Sequence, residues 1–192
     1  MPEIQRTVFG VGYNSNGIPV THKGKLLPAY RAWTNMLMRV YDEATRYKHP
    51  QYLTVTVCPE WQDFTMFNSW FETEQNSGVP GMHLDKDLRK PGSAEYGPDT
   101  CAFIPNQINT LLNDCPGRRG DLPAGVTAYG KRFRAKISIR GKCEHLGLFA
   151  TPGQAHSVYC AAKQAHVRSM AVYWQAELHP EIYTRLSTYG LA

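Results

Sequence analysis

Residues 131–149 read "KRFRAKISIRGKCEHLGLF", and the alternation inside that stretch decides the second half of the fold. Phe133, Ala135, Ile137 and Ile139 occupy one set of alternate positions, and Arg132, Arg134, Lys136 and Arg140 the other. A period of two puts the two sets on opposite faces of a β-strand. The "RGK" at 140–142 supplies a tight turn, and "HLGLF" at 145–149 reads as the returning strand. Thr151 followed by Pro152 is an N-cap and first-turn pair, which predicts a helix running to about residue 168. Ala155, Ala162 and Ala165 give that helix a small face on which to approach a sheet.

The same stretch is charged on one side only. Six basic residues and no acidic one lie from Lys131 to Lys142. The apolar face must pack on the helix that follows, so the basic face looks outward. Like charges two residues apart repel unless a polyanion neutralises them, and duplex DNA offers one phosphate charge per about 1.7 Å of axis. A β-ribbon also fits the major groove, where Arg reads guanine edges. The alternative is an ordinary solvated sheet face.

Upstream, "NDCPGRRGDLPAG" at 113–125 is rich in Gly, Pro and charge. It reads as a linker between a unit at 1–112 and a unit at 126–192. In the first unit, Tyr30, Trp33, Leu37 and Tyr41 recur at helical spacing and predict a helix over 28–43. Its opposite stripe, Arg31, Asn35 and Arg39, is either a solvated face or a seat for phosphates. "YLTVTVC" at 52–58 reads as a strand, and the aromatic run from Trp61 to Phe71 as a core helix near 62–74. Short strands at 82–88 and 101–104 flank a Pro/Gly-rich loop at 89–98, and a helix follows Pro105. Residues 10–25 read as a loop or a loose hairpin around Asn16–Gly17, and 169–192 as further helix interrupted at Pro180. The class is α+β.

Bulk properties exclude several functions. The chain has 192 residues and a formal charge of +5, enough to permit a polyanion partner without demanding one. No apolar run approaches the roughly 18 residues of a membrane span. The N-terminus "MPEIQRTVFG" lacks the basic-then-apolar pattern of a secretory signal. Five scattered cysteines without a CxxC argue for reduced thiols. A cytoplasmic protein with no membrane partner is expected.

Two resemblances sharpen this reading. "YGKRFRAKISIRGKCEHLGLFATPGQAHSVYCAAK", within residues 126–168, resembles the DNA-binding domain of plant ethylene-response factors, in the form found in bacteriophage HNH endonucleases. The resemblance implies a three-stranded antiparallel sheet packed on a helix, with double-stranded DNA as partner. It makes Arg132, Arg134, Lys136, Arg140 and Lys142 the DNA-contact candidates, and Gly147 and Phe149 structural.

"YRAWTNMLMRVYD" (30–42) and "VTVCPEWQDFTMFNSWF" (55–71) resemble the segment that precedes the nuclease motif in those phage proteins. "LDKDL" (84–88) and "YGPDTCAFIPNQINTLL" (96–112) resemble the motif itself, a degenerate ββα-metal hairpin of the HNH (His-Me finger) type. By that resemblance Asp85 and Asn109 hold one divalent metal, Mg or Mn, for phosphodiester hydrolysis. Lys86 stands where the base His is expected, and Thr100 where a loop-locking Asn is expected. His83, two residues before Asp85 on the same strand face, is the nearest substitute base. The competing reading of "HLDKDL" is a strand end in which Lys86 pairs with Asp85, Asp87 or Glu95. The implied function is a phage-type DNA-binding endonuclease. The alternative is an inactive relative that occupies DNA or inhibits a host defence protein. In either case a viral protein would act in the host cytoplasm.

Overall fold

The structure, a computed structural model, describes residues 8–112, 121–139 and 141–191. The chain is α+β and divides into two compact units, Met1–Asn106 and Gln107–Ala192. The division falls ahead of the predicted linker at 113–125, of which residues 113–120 lie outside the described residues.

In the first unit, Pro28 opens helix α1 (Pro28–Tyr41), where its missing N–H is no loss. Of the predicted stripe Trp33 and Leu37 are buried and Tyr30 and Tyr41 pack partly buried on the core, joined by Ala29, Met36 and Val40. Trp33 donates its indole N–H to the Trp61 carbonyl at 2.7 Å, so the buried ring leaves no orphan donor. Asp42 caps the short α2 (Glu43–Lys48), and Asp63 caps α3 (Phe64–Thr73) by accepting from the Thr65 amide. Asp63 also accepts from the Ser15 amide, tying the N-terminal loop to α3. The aromatic run is core as predicted, with Trp61, Phe64, Phe67 and Phe71 buried and the Trp33 and Phe64 rings 5.4 Å apart.

Three strand expectations change. The N-terminal hairpin is β1 (Thr21–His22) with β2 (Lys25–Leu26), turning at Lys23–Gly24, so of the two readings around Asn16–Gly17 the loop holds and the hairpin does not. Both turn residues have positive φ, as a two-residue hairpin turn requires, whereas Asn14 spends its side chain closing residues 14–18 as a loop. The strand expected over 52–58 shrinks to β3 (Thr56–Val57), because Pro50–Tyr52 makes a 3-10 turn. Its partner is β5 (Glu95–Tyr96), paired in parallel and lying inside the stretch expected to be plain loop. Two-residue strands have no period to read, so only the fold reveals them.

The hairpin of interest is β4 (Met82–Asp85) against β6 (Ala102–Pro105), antiparallel, with His83 opposite Ile104 and Asp85 opposite Ala102. The next helix, α4 (Asn106–Leu112), completes the ββα order and starts at the boundary between the units. Leu84, Phe103 and the partly buried Met82 join the core formed by α1 and α3. His83 and Asp85 therefore sit on the other face.

In the second unit, β7 (Val126–Tyr129), β8 (Arg132–Ile139) and β9 (Lys142–Phe149) form an antiparallel sheet in that order, packed on α5 (Pro152–Tyr173). Ala135 and Ala155 are fully buried at that contact, with Val126, Phe133, Leu146 and Phe149 around them. Thr151 caps α5 by accepting from the Gln154 amide, as predicted, but the helix runs on to Tyr173. The extra turns exist because Val167, Met170 and Ala171 find a second partner in α6 (Pro180–Ser187), which buries Ile182 and Leu186. The predicted small face is only partly used: Ala162 is half-buried and Ala165 exposed, because the sheet covers the first half of α5.

Candidate nucleic-acid interface and metal site

The pairing register sorts the side chains of the sheet. Phe133 pairs with Ala128 and Phe149, and Ala135 with Val126 and Gly147, so these share the helix face. Arg132 pairs with Tyr129, Arg134 with Thr127 and Leu148, and Lys136 with His145, so these share the outer face. The one acidic residue of β9, Glu144, pairs with Ile137 and belongs to the helix face. The outer face therefore carries Arg132, Arg134 and Lys136 with no carboxylate among its strand residues. Arg134 lies with its guanidinium carbon 4.2 Å from the centroid of the Tyr129 ring, which fixes the cation at the surface without neutralising it.

One of the five predicted DNA contacts does not join this face. Lys142 pairs with inward-facing Ile139, so parity sets it on the helix side, where it lines a groove with Ala162 and His166 of α5. Arg140 lies outside the described residues. In exchange, Tyr129 and His145 belong to the face and escaped the sequence reading. The pairing register across the two turns places them, and the turn sequences do not announce it. A bulge shifts the register between Ala135 and Lys136, and Gly147 beside it has φ 136°, a conformation that only glycine adopts readily.

At the β4–β6 hairpin, Asp85 is mostly buried, and that burial raises its carboxyl above the usual range. Its Oδ1 accepts from the amides of Asp87 at 3.0 Å and Leu88 at 2.8 Å, which turns the chain and ends β4. His83 is exposed at the neighbouring same-face position of β4. Lys86 has a side chain only 12% exposed and donates to Asp87 Oδ1 at 2.6 Å and to the Ser93 carbonyl at 3.2 Å. The expected ion pair at this strand end is thus present, with Asp87 as the partner. Asn109 stands on α4, just inside the second unit.

Thr100 performs the locking expected of the missing Asn. Its buried hydroxyl accepts from the Gly97 amide at 2.9 Å and faces the carbonyls of Glu95 at 2.8 Å and Gly97 at 3.1 Å. Arg89 adds bonds to the Cys101 and Pro98 carbonyls and a largely buried ion pair with Glu74. Side chains therefore staple the loop between the hairpin strands to its own backbone.

Asp85 and Asn109 offer a carboxylate and an amide oxygen, hard donors of the kind that suit a divalent cation retaining several waters. Oδ1 of Asp85 is engaged by two amides, and Asn109 belongs to the other unit. Among the described residues no three His, Cys, Asp or Glu converge as a fuller metal site. Comparison with known protein families, with curated proteins and with solved structures finds no match to this chain.

Proposed function

We propose that this chain is a DNA-binding protein of the HNH-endonuclease type that grips duplex DNA with the outer face of the β7–β8–β9 sheet. The observation that carries the reading is the one-sided ladder of Arg132, Arg134 and Lys136, with no carboxylate among the strand residues of that face. Three cations on a flat ribbon, with Tyr129 and Thr127 beside them, match a phosphate backbone and the edge of the major groove.

Cleavage would take place at the hairpin. Asp85 would hold one Mg or Mn ion, which when bound polarises the scissile phosphate and stabilises the leaving oxygen. His83, exposed on the Asp85 face of β4, would accept the proton of the attacking water at a ring nitrogen. Lys86, tied to Asp87 and Ser93, would hold the loop in place and take no proton. The host cytoplasm is the setting this proposal assigns. Among the described residues no helix is long and apolar enough to cross a membrane.

The test is incubation of purified protein with plasmid and Mg or Mn. Nicking that disappears in Asp85→Ala supports the reading, and absence of nicking with either metal on any substrate removes cleavage from it. The ion pair at Lys86 favours a second reading in which the hairpin is inert and the protein only occupies DNA or a host protein. That version expects tight, metal-independent binding. In both versions, changing Arg132, Arg134 and Lys136 to Ala together abolishes duplex binding, and unchanged affinity would clear the sheet of any role.

A further inference from the structure

The first unit carries a cleft of about 480 Å³ between α1 and β4. One wall is the polar stripe of α1, Arg31, Asn35 and Arg39, each one turn from the next. The opposite wall includes His83 and the turn at 78–81, and the floor is apolar, with Phe71 and Phe103. No acidic residue lines it. Among the described residues neither arginine forms an ion pair with a carboxylate. Arg39 is half-buried and lies near the buried Tyr96 hydroxyl, whose ionisation burial pushes up.

A cleft with cations of one sign above an apolar floor and no lining carboxylate focuses positive potential. Arg31 and Arg39 are eight residues apart on a helix, about 12 Å along its axis. That separation spans about three nucleotides of a strand at the stacked spacing of about 3.4 Å each, and fewer of an extended one. The volume is that of a small-ligand pocket, roughly 300–1,000 Å³, so a base-paired stack does not enter.

We propose that this cleft seats the sugar–phosphate backbone of a single nucleic-acid strand, with Arg31 and Arg39 on phosphate oxygens, Asn35 between them and His83 across from them. The inference rests on the DNA-directed reading above and adds a second anchoring surface, in the other unit from the sheet. It also gives His83 a neighbouring phosphate to act on.

The experiment measures binding of the full chain to a fluorescent single-stranded oligonucleotide and to a duplex over a salt series. Arg31 is exposed, so Arg31→Gln leaves the fold intact; Arg39→Lys keeps a cation beside Tyr96 while losing the planar fork. Arg31→Gln is expected to weaken single-strand binding and to flatten its log–log salt slope by about 0.7, the value of one phosphate contact. The triple sheet variant is expected to bind the single strand as wild type does. Single-strand affinity and slope unchanged in both arginine variants, or no single-strand binding by wild type, overturn the cleft. Duplex binding that still depends on the sheet would then leave the earlier reading standing. Single-strand binding that depends on Arg31, beside duplex binding indifferent to the sheet variant, supports the cleft and overturns the sheet reading.

Discussion

Asp85 does two jobs that a substitution can separate. One carboxylate oxygen ends β4 by accepting two backbone amides, and burial makes the charge itself costly. Asp85→Asn keeps an oxygen for those amides and removes the charge, so its melting temperature should equal or exceed that of wild type. Asp85→Ala strands the two amides and should cost about 1–3 kcal/mol in denaturant unfolding. An Asn variant as unstable as the Ala variant would show that the turn needs the charge. Asp42 offers the opposite sign. Bonds from the Thr45 hydroxyl and amide hold its carboxyl below 3.8, so its cap on α2 contributes fully above that value and is lost as the pH falls through the folded-state value. The melting-temperature gap between wild type and Asp42→Ala should therefore be present at neutral pH and close in acid.

Helices and the long strand were legible because each repeats a pattern several times. The α1 stripe, the capped start of α5 and the alternation of β8 each rest on side chains set by local geometry. The pairing of β3 with β5 was not legible, since each is two residues long and exists only through the other. Lys142 was misplaced for a related reason. Its face follows from the parity of the turn before it, and the "RGK" triplet does not announce which side of the sheet receives the returning strand. At the candidate metal site the ion pair of Lys86 was among the readings open from sequence, whereas the Thr100 lock required the loop's path. Close approach is equally hidden. A Cβ on Gly125 would fall 2.1 Å from Cδ2 of Tyr159, with φ at +74°. Gly125→Ala should thus loosen β7 from α5 by on the order of 2–3 kcal/mol, read as a lower unfolding midpoint.

For the molecule as a whole, thiol chemistry reports burial across both units. Desolvation pushes Cys58 up to about 11 and Cys101 up to about 12, while Cys143 is exposed on β9. Alkylation at mild pH should modify Cys143 in the native protein and reach Cys58 and Cys101 only on unfolding, which peptide mapping by mass spectrometry resolves. Early labelling of Cys101 would contradict the packing around β6. The Thr100 lock has one more consequence. A hydroxyl owns a single hydrogen, yet two carbonyls lie within its reach. The Gly97 carbonyl also takes the Thr100 and Cys101 amides and the Glu95 carbonyl the Ser93 hydroxyl, so either choice leaves both served and the rotor can swing between two bonded arrangements while the main chain stays still. An amide in its place would have two protons to give and would hold both carbonyls at once.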